Sequence, residues 1–192
     1  MLLLLPQLKS IRMVSYGNPF GYRCIDSVLP QLQLSQIKFR PQEPCLGPLR
    51  EVDLNSSGSW PGLGLDEALL YLAVPSVTGF RGRRIRIKGS LEPFQTQVFH
   101  TTTVILAESQ LGPMGSFLSC FHSLKRFEYE YARLKTGDEV FSPSSVNEGL
   151  TNSEHCLEEL VLYNNNNCYW GERDSPDDLH PLGSLARFVK LR

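Results

Sequence analysis

Histidine and cysteine are the metal-binding residue types of this chain, and a few of them lie close together in the sequence. His155 and Cys156 are adjacent, Cys168 follows, and His122 lies near Cys120. Structural zinc sites have ligand pairs at short, repeated spacings, but the sequence has no second pair of this kind and no C-x-x-C motif. We therefore expect packing roles for these cysteines, with no metal and no cofactor.

Motifs of common catalytic sites are also missing from the sequence. Serine is plentiful and four histidines are present, but there is no G-x-S-x-G motif to place a serine nucleophile. The stretches GPMGS and GFRGRRIRIKG lack the Gly-Lys-Ser/Thr ending of a phosphate-binding loop. We therefore expect a protein that is not an enzyme and has no catalytic residues.

The densest run of charge is FRGRRIRIKG, residues 80–89. Because arginine binds carboxylates and phosphates through paired N–H donors, an acidic peptide, a phosphorylated segment or nucleic-acid phosphate is a candidate ligand. The alternative is a half-buried strand that begins at Arg84, with isoleucines inside and hydrated basic residues outside. The candidate anion-binding residues are Arg81, Arg83, Arg84, Arg86 and Lys88.

The composition favours a protein that contacts other proteins or small molecules. The 192 residues include 19 basic and 20 acidic side chains, and this near neutrality argues against nucleic acid as the main partner. Pro6 and Lys9 cut the apolar run MLLLL too short for a signal peptide, and no run is long enough to span a membrane. The odd number of cysteines, five, indicates reduced thiols in an intracellular protein of the cytoplasm or nucleus.

The apolar residues follow a recurring pattern: one apolar residue, two variable positions, a second apolar residue, one variable position and a third apolar residue. The clear copies begin at Leu8, Leu34, Leu49, Leu124 and Leu157, and the weaker ones at Val77, Thr101 and Phe188. The copy at Leu34 is the first we would discard, because its neighbour follows too closely. The average interval of roughly 26 residues lies within the range of leucine-rich repeats.

This pattern predicts short parallel strands with helices between them. Since alternate strand residues share a face, the fourth and sixth positions both point inward, and the first turns in from the preceding loop. One unit cannot bury its apolar residues alone, but stacked units can. Helices are predicted over Leu65–Ala73, residues 112–123 and residues 179–188, and a polar loop insertion over residues 135–153.

We therefore expect an α/β fold, an open leucine-rich-repeat solenoid of about six to seven irregular repeats with its strands on the concave side and its helices on the convex side. The variable strand positions would face solvent on the concave side. Their mixed charge, together with a tyrosine, is typical of protein-binding surfaces, although an ordinary hydrated surface is the alternative for each residue. The candidate protein-binding residues are Arg12, Arg50, Asp53, Asn55, Arg126, Glu128, Glu130, Glu158 and Tyr163, of which Asn55, Glu130 and Tyr163 are expected just after their strands.

The stretches FLSCFHSLKRFEYEYA, CLEELVLYNNNN and LGSLARFVKLR resemble the degenerate leucine-rich-repeat regions of fungal F-box proteins. The resemblance covers most of the chain and implies a subunit that recognises substrates for a cullin ubiquitin ligase. The F-box, the helical segment that binds the ligase adaptor, has no counterpart before LKSIRM, and the pattern stops within FVKLR. We therefore expect a single domain over residues 1–192, truncated at both ends, that binds the adaptor only if an F-box exists upstream.

Two other hypotheses follow from the sequence. One is a phosphate- or nucleic-acid-binding module that uses the basic stretch at residues 81–88, with nucleic acid the less favoured ligand because the chain is neutral. The other is an orphan repeat fragment with no independent function. Such a fragment would aggregate or melt easily, because its end repeats would leave apolar edges uncovered.

Overall fold

The computed structural model describes residues 8–15, 48–56, 63–86, 97–110, 114–131, 142–164 and 181–192. The fold is α/β and is built around a sheet of six parallel strands. In sheet order these are β1 (Ser10–Ser15), β2 (Glu51–Ser56), β4 (Gly79–Arg83), β6 (Thr103–Ser109), β7 (Arg126–Tyr131) and β8 (Glu159–Asn164). The sheet order follows the chain order, and the sheet is open because β1 and β8 do not pair with each other among the described residues.

A smaller parallel sheet pairs β3 (Leu63–Gly64) with β5 (Ile85–Arg86). The helices are α1 (Leu65–Leu72), α2 (Met114–Ser119) and α3 (Pro143–Gly149), and α3 continues into a 3-10 helix over Leu150–Ser153. Along the chain, α1 precedes β4, α2 precedes β7 and α3 precedes β8, each followed by a short link. This order of helix, link and strand is the one that the apolar pattern predicts.

The inward side of the main sheet is apolar, as the alternation of the strands requires. In β7, for example, Phe127 and Tyr129 are buried, and Arg126 and Glu128 on the other side are only partly buried. The residue predicted to turn in from the loop is fully buried before five strands: Leu49, Val77, Thr101, Leu124 and Leu157. The prediction of inward-turning residues is therefore confirmed before these five strands, including the weaker copies at Val77 and Thr101.

Backbone hydrogen bonds also repeat at the entry to each strand. The N–H of Lys125 donates to the carbonyl of Thr102 at 2.7 Å, and the N–H of Glu158 donates to the carbonyl of Lys125 at 2.7 Å. The same bond joins Thr102 to Thr78 at 2.8 Å, and Thr78 to Arg50 at 2.9 Å. These bonds satisfy backbone groups ahead of the ladder and hold neighbouring units at one fixed register.

The first two predicted helices are present. Helix α1 ends at Leu72, and it buries Leu65, Leu69 and Leu72 together, as the helical spacing predicts. Helix α2 is shorter than predicted and ends at Ser119. After it, Phe121 packs edge-on against Phe117 with ring centroids 5.0 Å apart, so the apolar residues beyond the helix end still contribute to the core.

The predicted loop insertion over residues 135–153 is wrong for its second half. Residues 143–153 form α3 and the 3-10 helix, and Val146 and Leu150 are fully buried. Ser142 caps α3 by accepting a hydrogen bond from the N–H of Ser145, and Pro143 occupies the first turn. The polar composition of residues 135–153 is typical of a loop, but a serine followed by a proline is also a favourable start for a helix. Residues 135–141 lie outside the described part of the chain.

The predicted third helix and the last strand copy at Phe188 are also wrong where the structure describes them. Residues 181–192 form turns without a helix or strand. Gly183 has φ of 82°, a left-handed conformation that interrupts a right-handed helix. Phe188 is nevertheless buried and Leu191 packs against the core, so the apolar residues were correctly placed inside but on a different backbone.

The copy that begins at Leu34, together with residue Lys88, lies outside the described residues. Within the described residues, none of the helices is long and apolar enough to cross a lipid bilayer.

Candidate functional site

The outward face is the side of the six-stranded sheet that carries the first, third and fifth residue of each strand. Because the strands are in register, these side chains form three rows across the sheet. The first row contains Ser10, Glu51, Gly79, Thr103, Arg126 and Glu159. The second contains Arg12, Asp53, Arg81, Ile105, Glu128 and Val161. The third row is interrupted between β6 and β7, where the register shifts. It contains Val14, Asn55, Arg83 and Ala107 on one side of the shift and Glu130 and Tyr163 on the other.

The structure brings the predicted protein-binding residues to this face. Seven of them lie in the three rows: Arg12, Asp53, Asn55, Arg126, Glu128, Glu130 and Tyr163. Arg50 and Glu158 lie one position before β2 and β8, beside the first row. Asn55, Glu130 and Tyr163 were expected to follow their strands, but they lie within them, because the strands extend to the sixth residue.

Ion pairs cross the outward face between neighbouring strands. Nε of Arg12 lies 2.9 Å from Oδ2 of Asp53, which is directly opposite on β2. Arg126 contacts Glu128 at 3.0 Å and Glu159, opposite on β8, at 3.1 Å. The hydrogen bond with Glu128 raises the pKa of Arg126. Since these groups are partly hydrated, the pairs orient side chains more than they stabilise the fold.

Two arginines of the basic stretch bind a carboxylate of the same chain. Arg83 and Arg84 both contact Glu108, and Nε of Arg84 lies 2.8 Å from its Oε2. Burial acts to raise the pKa of Glu108, but the hydrogen bonds and the positive charges of Arg83 and Arg84 together outweigh burial, so this pKa is lowered overall. Glu108 therefore occupies the position in which an external anion would contact these two arginines.

The backbone around this carboxylate is unusual. Arg84 and Glu108 have φ of 60° and 46°, in the left-handed region that residues other than glycine seldom adopt. Glu108 lies where the register between β6 and β7 shifts, between Leu106 and Ser109. The N–H of Arg84 donates to the carbonyl of Ala107 at 2.9 Å, which joins the two irregular positions. This irregularity brings Glu108 within reach of both arginines.

The remaining residues of the basic stretch are separated by the fold. Arg81 is exposed in the second row, between Asp53 and Ile105, and forms no ion pair with another described residue. Arg86 belongs to the small sheet, where it bridges to Gln110. The strand predicted from Arg84 starts one residue later, at Ile85, which is buried as that alternative predicts. The described basic residues do not form one continuous surface.

Two residues of the site were missed in the sequence. Ile105 lies in the second row, between Arg81 and Glu128. It is the fifth residue of TTTVIL, the weak copy that begins at Thr101, and the pattern predicts that this variable position faces outward. Glu108 had no sequence signal, since its position depends on the shift of register in β6.

Of the cysteines and histidines with metal-binding potential, His122, Cys120, His155 and Cys156 are described, and Cys168 lies outside the described residues. Among the residues that the structure describes, no group of three histidine, cysteine or acidic side chains is arranged for a metal ion. Sγ of Cys156 lies 3.4 Å from the carbonyl oxygens of Leu124 and Ser153. Burial raises the pKa of the Cys120 thiol, which keeps it protonated and a weak nucleophile.

Taken together, the outward face presents charges, hydroxyl groups and a few apolar side chains, spread over rows rather than gathered in one cleft. Such an arrangement is suited to contacts with a second polypeptide. No family model, curated protein or solved structure matches this chain.

Proposed function

We propose that this chain is a non-catalytic protein-binding scaffold, an open leucine-rich-repeat solenoid whose concave side is the outward face. The observation that carries the proposal is the single sheet of six parallel strands in register, with a buried apolar side and a hydrated side of mixed charge. Stacked units of this kind bury one side of every strand and leave the other free for recognition.

The chemistry of the outward face supports a protein as the ligand. Ile105 lies between Arg81 on one side and Glu128 on the other, so an apolar contact is bordered by opposite charges. Tyr163 is 56% exposed on β8. Aromatic and aliphatic residues that lose their water give most of the binding energy at protein interfaces, and charges around them select the partner.

The resemblance to F-box proteins extends the proposal to the kind of partner. In that role, the outward face would hold a protein substrate that a cullin ubiquitin ligase modifies. Contact with the ligase adaptor would need an F-box upstream of these repeats. We therefore expect no stoichiometric complex between this chain alone and the adaptor, and co-purification of the two would contradict this part of the proposal.

The anion-binding alternative has less support. Of the candidate residues, Arg83 and Arg84 already bind Glu108, and only Arg81 among the other arginines lies exposed in a row of the outward face. A phosphate would have to displace a carboxylate that two arginines hold in place. A basic patch that binds nucleic acid would instead need several unpaired cations on one surface.

A photo-crosslinking experiment tests the proposed function. A benzophenone amino acid is introduced at Ile105 on the outward face and, as a matched control, at Ser116, which is exposed on α2. We expect the Ile105 variant to crosslink a discrete protein that also binds the unmodified chain when both are purified, and the Ser116 variant to leave it unlabelled. Equal labelling from both positions, or none from Ile105, would rule out the outward face as the binding surface.

A further inference from the structure

We infer that the partner of the outward face is a polypeptide segment with segregated charge: acidic over β1, β2 and β4, apolar over β6, and basic over β7 and β8. This inference rests on the proposed function and specifies the chemistry of the partner. It follows from how the fold distributes charge over the outward face, which the neutral total of the chain conceals.

The half of the face formed by β1, β2 and β4 is basic. Counting the rows and the position before each strand, five basic residues face two acidic ones: Lys9, Arg12, Arg50, Arg81 and Arg83 against Glu51 and Asp53. Glu108 of β6 binds Arg83, so the net is two positive charges. Asp53 is already paired with Arg12. Arg81 and Lys9 are exposed and form no ion pair with another described residue, so their charges are available to a partner.

The half formed by β7 and β8 has the opposite sign. Four acidic residues face two basic ones, a net of two negative charges: Glu128, Glu130, Glu158 and Glu159 against Lys125 and Arg126. The single guanidinium of Arg126 is shared by Glu128 and Glu159, so it only partly compensates them. Glu158 is exposed at the entry to β8.

The strand between the two halves carries no charge in the three rows, and the carboxylate of Glu108, its sixth residue, is already bound by Arg83 and Arg84. On β6, the outward residues are Thr103, Ile105 and Ala107. Ile105 is the largest of them and is directly flanked by Arg81 and Glu128 in register. An apolar side chain of the partner can therefore cover Ile105, while the partner's charges reach the cations on one side and the carboxylates on the other.

The dimensions of the sheet define the length of such a segment. Neighbouring strands lie about 4.8 Å apart, so six strands span roughly 24 Å. An extended polypeptide covers that distance with about seven or eight residues. A uniformly acidic segment would meet the carboxylates of β7 and β8, and a uniformly basic one would meet the arginines of β1 and β4. Such like-charge contacts are unfavourable.

Peptide binding tests the inference directly. Fluorescent ten-residue peptides are titrated with the full chain: one with acidic residues, a central leucine and then basic residues, one of the same composition with alternating charges, one all acidic and one all basic. We expect the segregated peptide to bind about fivefold or more tightly than the alternating one, and its affinity to fall as salt is added. Equal binding of the alternating peptide, tighter binding of a uniform peptide, or no binding of the segregated peptide would overturn the inference.

Matched variants connect the binding to the face. Two substitutions change the outward face: Arg81→Ala removes a positive charge and Glu158→Gln removes a negative one. Their controls change the net charge by the same amount away from this face, Ser116→Glu on α2 and Glu148→Gln on α3. We expect Arg81→Ala and Glu158→Gln each to weaken binding of the segregated peptide by about two- to fivefold, and both controls to leave it unchanged. Equal weakening by the controls would show a general charge effect and overturn the inference.

Two further outcomes separate the inference from the proposed function. If Ile105 crosslinks a protein whose contacting segment is uniformly charged, the inference is wrong and the proposed function stands. If sedimentation shows that a second copy of the chain occupies the face, with a dimer that Arg81→Ala dissociates, the segregated partner is likewise wrong. If Ile105 crosslinks nothing and no peptide binds, both fail.

Discussion

On the inward side of β7, Phe127 and Tyr129 are buried with parallel rings whose centroids lie 6.2 Å apart, whereas on its outward side Arg126 and Glu128 form a partly hydrated ion pair at 3.0 Å. The two sides of β7 thus meet two different physical requirements. Inward residues must fill space, because every gap loses contacts. Outward residues must only remain hydrated, so their charge can vary without loss of the fold, and this freedom makes them suitable for recognition.

The largest expected difference between the two sides comes from truncating one residue on each. Phe127→Ala should lower the free energy of unfolding by about 3–5 kcal/mol, because it leaves a cavity between the sheet and its helices. Glu128→Ala, on the outward side of the same strand, should change it by less than about 1 kcal/mol. Urea unfolding followed by circular dichroism measures both. Similar losses in the two variants would show that the sides are not distinct.

A close contact between helices extends the comparison beyond the sheet. A Cβ added at Gly149 would lie 2.6 Å from the carbonyl oxygen of Gly115, so α3 approaches α2 by backbone contact. Gly149→Ala should therefore destabilise the protein by about 1–3 kcal/mol, although alanine favours helix formation. Ser116→Ala, exposed on α2, is the control and should be neutral or slightly stabilising in the same thermal unfolding experiment. A neutral Gly149→Ala variant would contradict this packing.

A buried hydroxyl group joins successive units on the inward side. The hydroxyl of Ser153 donates to the carbonyl of Phe121 at 2.8 Å and accepts from the N–H of Leu124 at 3.2 Å. Ser153→Ala should cost about 1–2 kcal/mol, because both backbone groups lose a partner away from water. Thr151→Ala removes an exposed hydroxyl from the same 3-10 helix and should cost less. Equal costs in chemical denaturation would argue against this link.

The smallest expected effect is the dependence of stability on pH through Glu108, near the end of β6. Burial acts to raise the pKa of Glu108, but the hydrogen bonds and charges of Arg83 and Arg84 together outweigh it, so the pKa in the folded protein lies below its ordinary value of 4.5. Its stabilising contribution is therefore present above about pH 4.5 and is lost as the pH falls through the folded pKa.

Because both arginines are partly exposed, this contribution is on the order of 1 kcal/mol or less. Glu108→Gln should lower the free energy of unfolding at pH 7, and the loss should become smaller as the pH is lowered below 4.5, as measured by urea unfolding at pH 7 and pH 3. An equal loss at both pH values would mean that Glu108 acts through shape rather than charge.

The sequence predicted the parallel strands because each strand has a local reason to form. Val77 and Thr101 begin weak copies of the pattern, yet both are buried and both lead into strands, since stacking between neighbours completes what a poor copy lacks. Most of the candidate protein-binding residues reached one face for the same reason. Alternation along a strand determines the face, and register determines the neighbours.

The features that were not predicted depend on contacts between distant residues. Residues 143–149 form a helix because Val146 packs in the core, although their polar composition is typical of a loop. The segment around Phe188 has the apolar pattern of a strand but forms turns, tied to α3 by a hydrogen bond from Nδ2 of Asn147 to the carbonyl of Leu182 at 2.8 Å. Glu108 reached Arg83 and Arg84 through a shift of register that no local pattern encodes.

Hydroxyl-radical footprinting of the unmodified chain tests the two-sided sheet most directly, because oxidation of each aromatic side chain reports its contact with water. Tyr163 is 56% exposed, whereas Tyr129 and Phe127 are 1% and 0% exposed. Mass spectrometry should therefore find rapid oxidation at Tyr163 and strong protection at Tyr129 and Phe127, with protection lost in urea. Comparable oxidation of all three residues in the folded protein would contradict the parallel sheet with one buried and one hydrated side.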